Sequence, residues 1–282
     1  MDQHKGWIAL DIDGTITDDL YSIPEEVISY FRVLQKEGWH FIFITGRMLT
    51  LAEQALRSLD FPFLLAIQNG ADILQMPDRK LLFRSYLPHA VVPLLEEIYS
   101  RSSEDFIIYA GYEKQDFCYY RPHRFSSLLI PQVEKIRSLS PEPWKAVHSF
   151  DFSEEETFPL IKCLGSEDSM SGVNASLKSM EGICATFIRD PLSPGFFFNL
   201  VTHEEASKGR ALQRVFPLFK DKGLVIAAGD DRNDVSMLEV ADIAIVMGSA
   251  PIDMHSHADI LAKPASENGI IEALKKAVSH AG

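Results

Sequence analysis

The chain alternates uninterrupted apolar runs with amphipathic stretches, and the alternation is clearest at its two ends. Residues 8–12 read as a buried strand that stops on Asp11, Asp13 and Gly14. Residues 24–37 read as a helix. Val27, Ile28, Phe31 and Leu34 recur at helical spacing, Pro24 sits near the first turn, and Gly38 follows the end. A second strand at 40–44 closes on Thr45-Gly46-Arg47. A helix at 49–59 and a third strand at 64–67 follow, the strand ending in Gln68-Asn69-Gly70. This β-α-β-α-β rhythm predicts a parallel sheet with right-handed crossovers.

Near Leu82 the rhythm changes. Residues 85–199 mix a helix at 88–100 with short strand-like runs at 106–110 and 158–164. Pro131, Pro141 and Pro143 cluster there, and Pro191 and Pro194 precede a strand at 196–201. This stretch reads as an inserted second domain. The α/β rhythm returns with a helix at 208–216, a strand at 224–228, a helix at 234–240, a strand at 243–247 and a last helix at 266–279.

A length of 282 residues agrees with about two domains. The formal net charge of −13 argues against a nucleic-acid partner or an anionic membrane surface, both of which need a basic face. An anionic substrate stays open, because a bound cation reverses the local field. Cys118, Cys163 and Cys184 are odd in number and widely spaced, which fits a reducing, cytoplasmic setting better than a disulfide framework or zinc site. No run approaches the roughly 20 apolar residues of a membrane span.

Four loops carry candidate chemistry. Asp11-x-Asp13-Gly14-Thr15 could be a plain turn. As a site, one carboxylate can attack phosphorus and the other can exchange protons with the leaving oxygen and water. Thr45-Gly46-Arg47 could be a helix cap with a solvated arginine, or a hydroxyl and backbone N–H groups aimed at a phosphate. Lys208 opens a helix, where the dipole disfavours a cation; pairing with buried acids and a phosphate would explain it. Gly229-Asp230-Asp231-Arg232-Asn233-Asp234 is either a solvated capping loop or a cluster relieved by a hard divalent cation such as magnesium. The His203-Glu204-Glu205 and His255-Ser256-His257 segments lack metal-site spacing, and no Gly-x-Ser-x-Gly occurs.

In this order the four loops resemble the haloacid dehalogenase-like phosphohydrolases. Asp11-Ile12-Asp13-Gly14-Thr15, Thr45-Gly46-Arg47, Lys208-Gly209 and Gly229-Asp230-Asp231-Arg232-Asn233-Asp234-x-x-Met237-Leu238 match their four motifs. The long insert between the second and third motifs, and Gln68-Asn69-Gly70-Ala71, are similar to the Cof-like branch with a C2-type cap. The resemblance implies an α/β, Rossmann-like parallel-sheet core with helices on both faces, built from residues 1–84 and 200–282. Residues 85–199 would form an α+β cap that selects substrate.

The resemblance also implies roles. Asp11 would be nucleophile and Mg2+ ligand, and Asp13 general acid/base with its backbone carbonyl on the metal. Thr45, Gly46, Lys208 and Asn233 would hold the phosphoryl group, and Asn69 and Arg47 the substrate. Asp230 and Asp234 would be further metal ligands. The expected reaction is hydrolysis of a small phosphorylated metabolite, a sugar phosphate or similar ester, through an aspartyl-phosphate, and the oligomeric state stays open with a monomer as one option. Its rivals are a phosphomutase or a sucrose-, trehalose- or mannosylglycerate-phosphate phosphatase of the same superfamily, and a non-catalytic metabolite-binding regulator.

Overall fold

Trp7, Ile8, Ala9 and Leu10 are all buried, as a strand covered on both faces requires. In the computed structural model, which describes residues 4–101, 104–140, 143–190, 193, 195–219 and 222–279, they belong to the central sheet. The chain first runs β1 (Gly6–Leu10), α1 (Glu25–Lys36), β2 (Trp39–Ile44), α2 (Leu49–Leu56), β3 (Phe63–Ile67), β4 (Asp72–Met76) and β5 (Lys80–Arg84). It continues through β6 (Leu87–Pro88), α3 (Val91–Ile98), β7 (Phe106–Tyr109), β8 (Cys118–Tyr120), α4 (Ile130–Leu139) and β9 (Trp144–Ala146). Next come β10 (Thr157–Phe158), β11 (Leu160–Gly165), α5 (Glu167–Leu177), β12 (Ile183–Arg189) and β13 (Phe197–His203). The last part holds α6 (Lys208–Val215), β14 (Leu224–Gly229), α7 (Val235–Leu238), β15 (Ile243–Met247), β16 (Ile260–Ala262) and α8 (Gly269–Ser279).

The chain divides into two compact units. The first comprises Met1–Arg47, Leu51–Arg84 and Ser207–Gly282. Its sheet has the order β16-β15-β14-β1-β2-β3-β4-β5. The six strands from β16 to β3 are parallel, and β4 and β5 add an antiparallel edge that the rhythm alone did not predict. Helices cover both faces. Trp7, Ala9, Ile42 and Ile44 pack with Ala211, Leu212 and Val215 of α6 and with Met237 and Leu238 of α7. On the other face Phe31 of α1 lies 5.1 Å from Phe41 and 6.0 Å from Phe43, ring centre to centre. Burying one such side chain stabilises the fold by about 1.5–3 kcal/mol.

The strand order reverses at β1. The chain proceeds outward from β1 through β2 and β3, and later outward on the other side from β14 through β15 and β16. In an open α/β sheet the crevice beyond the carboxyl ends at such a reversal is the natural ligand site. Asp11 follows β1 and Asp230 follows β14, so both acids stand at that point.

The second unit comprises Met48–Thr50 and Ser85–Ala206. It reaches past residue 199 because all of β13 pairs with β11 and β12, within the order β12-β13-β11-β7-β8-β9. One face of this sheet packs Phe106, Ile108, Ile161 and Val201 against α3 and α5. The other carries Ile107, Tyr109, Leu164, Phe198 and Leu200. Of the prolines noted above, Pro141, Pro191 and Pro194 lie outside the described residues. No helix among the described residues is long and apolar enough to cross a membrane.

Candidate active site

The site grows from the ends of strands. Asp11 continues β1 by donating its N–H to the Ala228 carbonyl of β14 at 3.0 Å. Gly14 then takes φ +66°, a left-handed turn that sends the chain away from the sheet. A Cβ on Gly14 would lie 2.0 Å from Asp230 Oδ2, so the glycine also makes room for the second acidic loop. Gly14→Ala is therefore expected to lower stability by about 1–2 kcal/mol through backbone strain and to displace Asp230. Thermal melts with and without a divalent cation check both, and an unchanged cation response would contradict the second.

Lys208 is the hub. Its side chain is fully buried, and Nζ donates to Asp11 Oδ1 and to Asp234 Oδ1, each at 2.6 Å. Ser207 caps the helix by accepting from Arg210 N at 3.2 Å, which fixes where Lys208 begins. Gly209 permits the close packing of α6 on α7. Its N–H donates to Ser236 Oγ at 3.0 Å, and a Cβ there would meet the Ser236 carbonyl at 2.1 Å. Ser236 has no motif signal, and its separation of 27 positions from Gly209 hides the contact from sequence inspection.

Asp234 organises the acidic loop. Its Oδ2 accepts from the backbone N–H of Asp230 at 2.9 Å and of Asp231 at 3.1 Å. This accounts for the start of α7 at Val235: Asp234 belongs to a preceding 3₁₀ turn rather than to the helix expected from 234. One carboxylate oxygen each of Asp11, Asp230 and Asp234 lies within 4.8 Å of the others.

Three carboxylates and one ammonium leave a formal excess of two negative charges in this cluster. Among the protein groups alone that excess is poorly tolerated. Burial, together with Asp11 and Asp234, pushes the Asp230 carboxyl up to about 9. Burial raises Asp11 to about 7, with Lys208 opposing and Asp234 and Asp13 assisting. Burial disfavours the Lys208 charge, but Asp11 and Asp234 outweigh it and hold the ammonium above its ordinary value. An all-oxygen set with two surplus charges fits a hard divalent cation.

The third strand end is tied to the acidic loop through Asn69 and Asn233, and the second to the third through Thr45. Thr45 is fully buried, its N–H donates to the Ala66 carbonyl, and its Oγ accepts from Arg47 N at 3.1 Å. The hydroxyl proton goes to no acceptor among the described residues. Asn69 sits in a left-handed conformation (φ +59°) and donates its N–H to the Thr45 carbonyl at 2.8 Å. Its Oδ1 accepts from Asn233 Nδ2 at 3.3 Å and lies 3.6 Å from where a Cβ on Gly46 would stand. Thus Asn69 and Asn233, 164 residues apart, are neighbours. Arg47 is turned onto Asp13 by a two-pronged hydrogen bond. His203 Nδ1 accepts from Glu205 N, as a local cap does.

A family model described as haloacid dehalogenase-like hydrolase matches residues 8–274. The chain belongs to this family. Among curated relatives of this haloacid dehalogenase-like hydrolase, Phosphatase YwpJ of Bacillus subtilis is 25% identical over 299 residues, spanning 95% of this chain and 98% of its own. A phosphoglycolate phosphatase of Methanopyrus kandleri is 22% identical over 274 residues, covering 95% of each chain. The fold agrees with that of the HAD subclass IIB sugar phosphatase BT4131, with a TM-score of 0.73 at 21% identity over 97% of this chain and 99% of that one. The hydrolase is thus an enzyme of a Cof-like type whose named relatives are phosphatases.

Proposed function

We propose that the protein is a magnesium-dependent phosphomonoesterase acting on a small cytoplasmic metabolite, with sugar phosphates the first class to test. The observation that carries this reading is Lys208 held between Asp11 and Asp234, with Asp230 beside them. That arrangement gives one nucleophilic carboxylate, one fixed cation and a surplus of negative charge at the same strand ends.

In this reading Asp11 attacks the phosphorus, and its new O–P bond forms as the ester O–P bond breaks. Asp13 gives its proton to the departing alkoxide. Water then attacks the aspartyl-phosphate, Asp13 takes the water's proton, and inorganic phosphate leaves Asp11 as a carboxylate. Lys208, the Thr45 hydroxyl, the Gly46 N–H and Asn233 hold the phosphoryl oxygens. Asn69 lies toward the leaving group. A magnesium ion held by Asp11, the Asp13 carbonyl, Asp230 and Asp234 would neutralise the anionic oxygens around the phosphorus. The inserted unit, 85–199 in its expected bounds, selects the leaving group.

The sugar phosphatase and the phosphoglycolate phosphatase among the similar proteins support a small organic phosphate as substrate. A free-phosphate screen over sugar phosphates, phosphoglycolate and other metabolite esters tests the class. Phosphate release with no isomerised ester is expected. Formation of an isomerised sugar phosphate without free phosphate would instead mean a phosphomutase.

The cation makes its own prediction. With EDTA present, Asp11 and Asp230 bind protons in the folded state that they have lost when unfolded, since their values are raised from 3.8 to about 7 and about 9. Stability then falls as pH rises from just under 4 toward 9. Saturating Mg2+ should flatten that slope and raise the melting temperature, and Asp230→Asn should abolish the Mg2+ effect. Equal Mg2+ responses in the wild type and Asp230→Asn would remove Asp230 from the site.

A further inference from the structure

Arg47 is expected from the sequence to bind substrate, yet its guanidinium is engaged within the protein. Nε donates to Asp13 Oδ2 at 2.9 Å and Nη2 to Asp13 Oδ1 at 2.6 Å. Nη1 donates to the Leu20 carbonyl at 2.7 Å. The backbone of Arg47 is fixed as firmly: its N–H donates to Thr45 Oγ at 3.1 Å, and its carbonyl accepts from Gln68 N at 3.0 Å.

The two partners differ sharply in exposure. The Arg47 side chain is 5% exposed and that of Asp13 is 57% exposed. A nearly solvent-free clamp therefore grips an open carboxylate by both oxygens. An exposed aspartate left to itself samples several staggered rotamers. A planar fork with two parallel N–H groups selects one of them, which a lysine cannot do. An ion pair that only stabilised the surface would contribute little, and it would not require the arginine to be buried and anchored at three other points.

We infer that Arg47 is the positioning residue for Asp13. It sets the rotamer in which the Asp13 carboxyl meets the leaving oxygen and then the attacking water. This rests on the reading of Asp13 as the proton-transfer group. In the proton-transfer step nothing is exchanged with Arg47: the proton passes between Asp13 and oxygen, and the guanidinium keeps its five N–H groups.

The test is a double-mutant cycle read by single-turnover leaving-group release, with Mg2+ supplied. The two probes are p-nitrophenyl phosphate, which needs little protonation on leaving, and glucose 6-phosphate, which needs much. A carboxylate misplaced by about 1 Å costs on the order of 10²-fold. Arg47→Met is thus expected to slow glucose 6-phosphate cleavage about 10²-fold and p-nitrophenyl phosphate cleavage by less than about threefold. In an Asp13→Asn background, Arg47→Met should add nothing further. Additive losses would mean that Arg47 acts on the substrate directly, and the inference fails while Asp13 keeps its role. Asp13→Asn losses that are equal for the two probes would overturn the reading of Asp13 itself. If Arg47→Met does not fold, Arg47→Lys carries the same test, since it keeps the charge and loses the fork. Its loss should be confined to glucose 6-phosphate and vanish in the Asp13→Asn background, and an equal loss on both probes overturns the inference.

Discussion

Asp11→Asn is expected to lower kcat for p-nitrophenyl phosphate by about 10⁴–10⁶-fold, as loss of a nucleophile does elsewhere, without loss of the fold. The amide is a poor nucleophile, and no second carboxylate occupies its place. Asp234 is tied by three hydrogen bonds to Lys208, Asp230 and Asp231. Asp13 is tied to Arg47. The fold survives because burial and neighbouring acids already disfavour the Asp11 charge. Removing it relieves repulsion with Asp230 and Asp234, so the melting temperature of Asp11→Asn should equal or exceed that of the wild type when both are measured in EDTA. Activity near that of the wild type would leave Asp11 without its role.

Lys208→Met is expected to act in the opposite way on stability. The ammonium is the partner of two buried carboxylates at 2.6 Å each. Removing one member of a buried ion cluster leaves the others uncompensated, which costs about 3–5 kcal/mol. Part of this should return at low pH, where Asp11 and Asp230 take up protons and the repulsion fades. Activity should fall as well, because the same ammonium faces the phosphoryl group in the proposed reaction. Denaturant melts at two pH values measure the effect. A loss below about 1 kcal/mol, the range of a surface pair, would mean that Lys208 is not the charge balance of the site.

These two residues were legible in the sequence for different reasons. Asp11 stands at the end of an apolar run, and a strand buried on both faces leaves that run unbroken. Lys208 stands where a helix dipole disfavours a cation, so its presence called for buried acids. β1, β2, β3, β14 and β15 were readable in the same way, and so was their parallel rhythm. The edge hairpin of β4 and β5 was not: its strands mix polar and apolar residues, and β5 is half-exposed.

Most of the second unit was illegible too. β8 and β9 have three residues each, too few to show a period. β12 is partly exposed along its length and carries no clear alternation. α5 contains Ser169, Ser171, Gly172, Asn174 and Ser176, all weak helix formers, and is held instead by its Ser166 cap and by Met170, Val173 and Leu177 in the core. In the site, the pairing of Arg47 with Asp13 crosses 34 residues, and no spacing rule could show it. Each was visible as a motif residue, but only the folded chain shows that the arginine is occupied by the aspartate.

The central claim is that phosphoryl transfer passes through Asp11. Borohydride quenching during turnover of p-nitrophenyl phosphate, followed by peptide mass spectrometry, tests it directly, because borohydride reduces an acyl phosphate to the alcohol. Homoserine at position 11, dependent on substrate and absent at positions 13, 230 and 234, is the expected result. Unmodified Asp11 in enzyme that is turning over, or homoserine at another of these aspartates, would contradict the account.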